Sequence, residues 1–407
     1  MKALVLCGGM PQIALIKDLK SRGIYTILAD MNEKVAAREY ADEFFPVSVL
    51  DVEAVYELAK NEKVDIVITV CADQVLQVVA EVSERLGLPC YIDFETAENV
   101  SKKSYMKRIF KENSVPTSSF VIMDEFDEKK LEGLVYPLIV KPVDAYSSRG
   151  VKKVFNIEET EQAVLEAINI SRTSYAIVEE FVEGDELTVD IYVEAGEAKV
   201  LCISKLDKIG EDGKFVIHRS TYPACISTAV EDKIKDAAQK IAEGFKLENC
   251  PMLIQLINKG EDISVVEFCA RTGGGVKFRH IKRVTGFDVV KAVVELALGE
   301  KPHYEKPECE QKYIINEFFY CMPGVFDHME GLEQLLEDKV ISEYYILKPK
   351  GHEFTAIRSS SDRVACYTIE AQSRDELREK QLIANRAVKA VSNEGKDLIR
   401  HDLIEKE

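Results

Sequence analysis

The sequence predicts a mixed α/β and α+β protein of several domains. Short apolar strands alternate with helical stretches over residues 1–98, which favours a parallel sheet covered by helices on both faces. Alternating strands dominate the middle of the chain, and 407 residues exceed what one hydrophobic core normally supports. We therefore expect a Rossmann-like N-terminal domain, a central antiparallel sheet with helices and a small α+β C-terminal domain.

The N-terminal elements follow from the spacing of apolar residues. Apolar runs predict strands at 3–6, 26–29, 65–70 and 89–92, and apolar positions three to four residues apart predict helices at 13–20, 52–60 and 74–86. Gly8-Gly9 and Asp30 follow the first two strands, as in dinucleotide-binding proteins. The G-x-G-x-x-G spacing is absent, however, so a tight turn accounts for the glycine pair.

The rest of the chain divides into a compact lobe, a central sheet and a C-terminal part. A lysine-rich helix begins after Ser101 and carries one apolar stripe. The lobe is predicted to have strands at 115–123, 138–143, 151–155 and 176–182 and a helix at 157–169. The central part is predicted to have strands at 186–193, 253–257 and 263–269 and a helix at 231–245. The C-terminal part is predicted to have strands at 313–321, 341–347 and 363–371 and a helix at 374–390.

Composition narrows the class of protein. A net charge of −18 argues against nucleic acid or an anionic membrane as a partner, although two segments, 101–111 and 268–287, carry only basic charges and suit a small polyanion. No stretch approaches the ~20 apolar residues that span a bilayer. The ten cysteines lack zinc-finger spacing, which favours a reducing compartment, and we assign the cytoplasm.

The first of three polar motifs contains Lys141, which ends an apolar strand at 138–140. An ammonium group among apolar neighbours needs an anion, and either a phosphate or a nearby carboxylate would satisfy it. The loop that follows is short and polar, with donors that can wrap phosphate oxygens; its candidate residues are Ser147, Ser148 and Gly150.

The second motif is acidic and the third combines oxygen ligands with a cation. Glu179 and Glu186 are separated by a turn at Gly184 and can enter one cleft, unless the segment is a solvated hairpin. Gln255 and Glu267 stand on neighbouring strands and supply oxygen ligands that suit Mg²⁺. The segment 271–275, Arg-Thr-Gly-Gly-Gly, offers a fixed cation and backbone donors, or is a flexible loop with an incidental arginine.

The order of these motifs over residues 1–300 resembles the ATP-grasp superfamily, and in particular its L-amino-acid ligases, biotin carboxylases and carbamoyl-phosphate synthetases. The resemblance implies a Rossmann-like preATP-grasp domain at 1–98, an ATP-grasp domain at 99–302 with a mobile lid at about 115–184, and the C-terminal α+β domain at 303–407. It also implies that ATP and Mg²⁺ are the cofactors.

The resemblance assigns a role to each motif. Lys103, or neighbouring Lys102, matches a K-x-x-M helix that supplies a phosphate-binding lysine beside Lys141 and the 147–150 loop. The adenine amine lies by Glu179, and Glu186 takes the ribose hydroxyls. The residues between them that surround the ring are Glu180, Phe181 and Val182.

The metal site departs from the pattern of the family. Its usual acid is Gln255 here, as in some carbamoyl-phosphate-synthetase-like members, and its usual Asn is Cys269. A thiol is a poor magnesium ligand, so either one metal ion is held mainly by Glu267 and ATP, with Gln255 as the other candidate ligand, or the phosphates are positioned without the usual second metal. Arg271 would meet the transferring phosphoryl group.

The resemblance implies a carboxylate-amine ligase that forms an amide bond through an acyl phosphate and releases ADP and phosphate. ATP, a small carboxylate and an amine are the expected partners, and a homodimer is the expected assembly. Two alternatives stay open. One is an ATP-grasp kinase or carbamoyl-phosphate-like enzyme with a non-amine acceptor, and the other is a non-catalytic ATP-binding protein.

Overall fold

A four-stranded parallel sheet forms the centre of the N-terminal region in this computed structural model, which describes residues 1–144, 150–209, 216–306 and 312–404. Its elements alternate along the chain as β1 (Lys2–Leu6), α1 (Met10–Ser21), β2 (Tyr25–Ala29), β3 (Glu43–Phe45), α2 (Val52–Glu62), β4 (Ile66–Ile68) and α3 (Asp73–Leu86). The strand order is β3-β2-β1-β4 and all pairs are parallel, which confirms the predicted α/β architecture.

The strand predicted at 89–92 is wrong, and the sheet takes β3 as its fourth strand instead. Pro89 has no N–H to give a strand ladder, and Ile92 buries its side chain in the core without pairing its backbone. The segment leads directly into α4 (Phe94–Ser101) and then into α5 (Lys103–Glu112). Asp93 caps α4 by accepting a hydrogen bond from Thr96 N.

A second, antiparallel sheet forms the lobe predicted to be a lid. Its elements are β5 (Phe120–Met123), β6 (Leu138–Pro142), β7 (Lys152–Val154), α6 (Ile157–Ile170) and β8 (Ala176–Glu180), in the strand order β5-β8-β6-β7. The lobe has its own apolar core, where α6 covers β6 and β8. The strand predicted at 115–123 begins only at Phe120, because Pro116 interrupts it and its carbonyl oxygen accepts a hydrogen bond from Val265 N at 2.7 Å.

The central elements build most of a large antiparallel sheet. They are β9 (Asp185–Glu194), β10 (Glu197–Lys208), β11 (Ile217–Tyr222), α7 (Thr228–Gly244), β12 (Cys250–Lys259), β13 (Asp262–Cys269), α8 (Lys277–Thr285) and α9 (Val289–Ala297). The strands predicted at 253–257 and 263–269 are confirmed as neighbours, since β12 and β13 pair antiparallel as a hairpin. Helix α7 packs over β10 and β13, and its apolar face belongs to the same core as the inner residues of β9 and β12.

The C-terminal elements extend this sheet to eight strands. They are β14 (Tyr313–Phe319), β15 (Gly324–Glu330), α10 (Leu332–Glu337), β16 (Glu343–Ile346), β17 (Glu353–Phe354), β18 (Ala365–Ala371), α11 (Arg374–Ala387) and β19 (Lys389–Ser392). The strand order is β13-β12-β9-β10-β11-β14-β18-β16, so β14 joins the central strands through β11. A separate three-stranded sheet contains β17, β15 and β19. The domain boundary at 302/303 therefore stays a prediction, because one sheet crosses it.

The N-terminal region is packed firmly against the large sheet. Leu15 of α1 and Val290 of α9 lie in one continuous apolar core with Tyr192 of β9. This docking fixes the carboxyl end of β4 and the start of α3 beside the end of β13. Within the described ranges, none of the helices is both long enough and apolar enough to cross a membrane.

Candidate functional site

A cavity of about 280 Å³ lies where the N-terminal region, α5 and the β12–β13 hairpin meet. Residues from several distant parts of the chain line it, and four of them are candidates predicted from the sequence: Lys103, Gln255, Glu267 and Arg271. Asp144 and Arg172 of the lid lobe also line the cavity. The structure thus brings Lys103 together with the predicted metal and acyl-phosphate residues, whereas Lys141, Glu179 and Glu186 do not line this cavity.

A buried ion cluster lies between the lid lobe and α5. Glu179 of β8 is 5% exposed and accepts from two lysines, Lys141 of β6 and Lys107 of α5. The Lys107 Nζ to Glu179 Oε2 distance is 2.8 Å, and Lys107 Nζ also donates to Thr117 Oγ1 at 2.6 Å. Of the two anions that the sequence allows at Lys141, the structure shows a carboxylate, that of Glu179, a residue for which the resemblance predicts a place by the adenine amine.

The pKa values of this cluster follow from sharing one carboxylate between two ammonium groups. Burial alone would raise the pKa of Glu179, but Lys141 and Lys107 outweigh it and lower the pKa to about 2. Burial lowers the pKa of Lys107, and the Glu179 charge does not fully compensate. Glu179 does overcome burial at Lys141, whose pKa is raised. The cluster carries one excess positive charge, and a phosphate oxygen would balance it.

The residues between Glu179 and Glu186 join two sheets and do not form a hairpin. Strand β8 belongs to the lid lobe and β9 to the large sheet, so this segment connects the lid to the body. Phe181 N donates to Pro137 O at 3.0 Å, and Val135 N donates to Glu180 Oε1 at 3.0 Å.

The connection approaches β12 closely at a glycine. A Cβ on Gly184 would lie 2.3 Å from the carbonyl oxygen of Asn258, which only glycine avoids. After the connection, Glu186 on β9 forms an ion pair with Lys208 of β10. Val182 lies in the same irregular segment as Gly184, between the two strands.

The candidate metal residues stand opposite each other on β12 and β13. Gln255 and Glu267 are direct partners in the antiparallel register, and Lys103 Nζ lies 3.7 Å from Glu267 Oε2. Mg²⁺ is commonly held by one or two carboxylates together with substrate phosphates, so this pair of side chains fits one ion. Among the described residues, no group of three or more His, Cys, Asp and Glu side chains could hold a metal ion.

Cys269 does not fit as a further magnesium ligand. The residue is partly buried, and burial followed by the charge of Asp73 raises the pKa of its thiol well above the ordinary value. The thiol forms a hydrogen bond with Asp73, so it stays neutral and its proton is engaged. A neutral thiol at this position is a poorer ligand for Mg²⁺ than the amide oxygen of an asparagine would be.

Arg271 is held by Asp73 of the N-terminal region. Its Nε and Nη2 donate to the two oxygens of Asp73, and its Nη1 donates to Thr272 O at 2.7 Å. Burial would lower the pKa of Arg271, but Asp73 overcomes it and the pKa is raised. Arg271 is thus a fixed, permanently charged group at the cavity wall.

Two residues that the sequence analysis did not assign are central to the geometry. Asp73 follows β4, and the carboxyl ends of parallel strands are where such sheets bind ligands, so this position could have been proposed. Lys107 lies four residues after Lys103, on the same face of α5. Its burial depends on how the lid lobe docks, which no local pattern reveals.

The polar segment after β6, residues 144–150, is described only at its two ends, Asp144 and Gly150. Ser147 and Ser148 lie outside the described residues. Gly150 has a φ of +73°, and a Cβ there would lie 2.9 Å from Ile170 Cδ1 and 3.0 Å from Pro142 Cγ. Glycine is therefore required at this turn for both its conformation and its packing.

Two segments of the chain match models of known protein families. Residues 134–279 match the ATP-grasp domain, and residues 4–90 match the N-terminal domain of PylC-like proteins. The alanine–anticapsin ligase of Bacillus amyloliquefaciens is 26% identical over 392 residues, which cover 90% of this chain and 80% of that ligase. The carbamoyl phosphate synthase large chain of Thermotoga maritima is 23% identical, and the match covers 78% of this chain and 29% of that protein.

Solved structures share the fold over nearly the whole chain. An L-amino acid ligase from Bacillus licheniformis has a TM-score of 0.82 at 20% identity, covering 96% of this chain and 98% of that one. A phosphoribosylglycinamide synthetase from Anaerococcus prevotii has a TM-score of 0.78 at 21% identity, covering 96% and 99%. Among the relatives found by sequence, the match to two alanine–anticapsin ligases of Bacillus subtilis covers only 66% and 60% of the length of those proteins.

Proposed function

Because this chain is a member of the ATP-grasp superfamily, we propose that it is an ATP-dependent carboxylate-amine ligase. A carboxylate oxygen attacks the γ-phosphorus of ATP, the bond to ADP breaks, and an acyl phosphate forms. An amine nitrogen then attacks the acyl carbon and phosphate leaves, while the amine loses a proton to water. The observation that carries this proposal is the meeting of Lys103, Glu267 and Arg271 in one cavity.

The residues of this chain act mainly by neutralising and orienting charge. Lys141 and Lys107 carry one excess positive charge over Glu179, which suits a phosphate of ATP. Lys103 provides a further ammonium group beside Glu267. Arg271 holds its guanidinium ready for the transferring phosphoryl group without reorganisation.

Glu267 and Gln255 would hold Mg²⁺ together with the phosphates of ATP. The bound ion supplies charge neutralisation at the phosphates as the γ-phosphoryl group transfers. We propose a single protein-held ion, because the thiol of Cys269 is neutral and hydrogen-bonded to Asp73. The adenine and ribose would lie along the connection from Glu180 to Glu186, which joins lid and body.

We propose L-amino acids as the first substrates to test, because similar proteins are named as an alanine–anticapsin ligase and an L-amino acid ligase. The test measures phosphate release from Mg-ATP with pooled L-amino acids and identifies coupled products by mass spectrometry. Stimulated release with a dipeptide-like product supports the ligase. Lys141→Ala should abolish the stimulated release, whereas Lys152→Ala, which removes a half-exposed lysine from the same lobe, should retain it.

The other outcomes separate the alternatives. Release stimulated by bicarbonate and not by amino acids would favour an enzyme of the carbamoyl-phosphate type. ATP binding without phosphate release under either condition would favour a non-catalytic nucleotide-binding protein. Restoring the family pattern with Gln255→Glu and Cys269→Asn would then be the decisive variant, since it adds oxygen ligands for the metal.

We also propose the division into domains at about 98/99 and 302/303, with a lid at about 115–184, a homodimeric assembly and a cytoplasmic location. The separate apolar core of the lid lobe supports its independent movement. Every cysteine among the described residues is free, which agrees with a reducing compartment. Light scattering would determine the assembly, and limited proteolysis with and without Mg-ATP would test the lid.

A further inference from the structure

The contact between Asp73 and Arg271 joins two parts of the chain that are 198 residues apart. Asp73 opens α3 in the N-terminal region, and Arg271 directly follows β13 of the large sheet. The pairing is bidentate, with Nε and Nη2 on separate carboxylate oxygens. Bidentate pairing fixes the plane of a guanidinium group, whereas a single contact would leave it free to rotate.

The surroundings of Asp73 hold the pair in place. Its carboxylate also accepts from the thiol of Cys269, and Arg271 is 12% exposed. The apolar core shared by α1 and α9 keeps the two regions docked. Both residues line the cavity that contains Lys103 and Glu267.

The pairing leaves part of the guanidinium group for a ligand. Arginine has five N–H donors. Among the described residues, Asp73 takes one from Nε and one from Nη2, and Thr272 O takes one from Nη1. One donor on each Nη therefore stays available to an anionic oxygen. Asp73 selects which edge of Arg271 meets that oxygen.

We propose that Asp73 is a positioning residue for phosphoryl transfer, which acts by fixing the orientation of the Arg271 guanidinium group from the N-terminal region. This inference rests on the proposed function, in which Arg271 meets the transferring phosphoryl group. The N-terminal region thereby takes part in the chemistry of the ATP-grasp domain. Loss of Asp73 should lower the turnover rate and leave the affinity for ATP nearly unchanged, because nucleotide binding uses other residues.

The test uses a mimic of the transferring phosphoryl group, so no natural substrate is needed. The full-length protein is titrated with MgADP, alone and with aluminium fluoride, by calorimetry and thermal shift. Wild type should bind aluminium fluoride on top of MgADP. Asp73→Asn should weaken that second step by at least about tenfold, as for a misplaced catalytic group, while the MgADP affinity changes by less than about twofold. Asp73→Glu should restore part of the effect.

A matched control removes a similar pair elsewhere. Asp18→Asn breaks a contact between Asp18 Oδ2 and Arg22 Nε of 2.8 Å, also in the N-terminal region and far from the cavity. It should leave both binding steps unchanged. If Asp73→Asn retains the aluminium fluoride step while Arg271→Ala loses it, the inference about Asp73 is overturned. If Arg271→Ala retains that step, the proposed role of Arg271 fails, and the inference fails with it.

Discussion

Glu179→Gln isolates the charge that holds the lid lobe to α5, because glutamine keeps the shape of the side chain and removes its negative charge. Lys107 and Lys141 would then be buried without an anion, with side chains 2% and 8% exposed. Removing one partner from a buried ion pair typically destabilises a protein by about 3–5 kcal/mol. The depressed pKa gives a similar figure, since a fall from 4.5 to about 2 corresponds to about 3 kcal/mol at about 1.36 kcal/mol per unit.

The assay is native-state hydrogen exchange of peptides that contain β6 and β8. A loss of about 3 kcal/mol in the free energy of opening should accelerate their exchange by about 100-fold at pH 7. Because the pKa of Glu179 is lowered on folding, its contribution is present above pH 4.5 and is lost as the pH falls towards 2. The difference between wild type and variant should therefore be constant from pH 6 to 8 and shrink in acid.

The control is Glu53→Gln, which breaks a bidentate pair with Arg85 on the surface of the N-terminal region. Glu53 is 72% exposed, and a pair of this kind contributes little to stability because solvent screens it. If Glu179→Gln accelerates exchange in β6 and β8 by less than about fivefold, comparable with a surface pair, the reasoning is refuted. Lys107 and Lys141 would then be satisfied without Glu179.

Three further predictions concern the connection, the metal site and the phosphate cluster. Gly184→Ala should lower the thermal midpoint by several degrees, because its Cβ would lie 2.3 Å from a backbone oxygen; an unchanged midpoint would contradict the close approach. Cys269→Asn should lower the Mg²⁺ concentration needed for half-maximal binding of a non-hydrolysable ATP analogue, since an amide oxygen is a better ligand than a neutral thiol; no shift would argue against a metal beside this position. Lys107→Met should weaken binding of the same analogue by about tenfold in calorimetry, because it removes the excess charge; unchanged affinity would place the phosphates elsewhere.

Local sequence patterns were sufficient for much of the fold. The apolar runs at 253–257 and 263–269 predicted the two neighbouring strands on which Gln255 and Glu267 stand, and these residues pair directly in the observed register. The apolar runs likewise predicted β1, β2 and β4. The strand at 89–92 failed because its apolar residues are buried by an irregular segment, and periodicity reports burial more directly than backbone pairing.

The parts of the site that the sequence did not predict depend on contacts between distant segments. In the sequence, nothing distinguishes Asp73 from the many other acidic residues. Its contact with Arg271 depends on the docking of α1 on α9. Lys103 and Lys107 lie on the same face of α5, and only the position of the lid lobe decides that Lys107 becomes the buried partner of Glu179. The roles of Asp73 and Lys107 therefore depend on tertiary docking, which leaves no local pattern in the sequence.

The single sheet that runs from β13 to β16 limits how this protein can be recombined with its relatives. Cutting the chain near residue 302 would strip β14 from β11 and leave a long edge of unpaired N–H and C=O groups, which favours pairing with other chains. The same cut would separate the buried Arg219 of β11 from Glu317 of β14, its ion-pair partner at 2.9 Å. Exchange of the last hundred residues between homologues should therefore yield folded hybrids only when β11 and β14 come from the same parent protein.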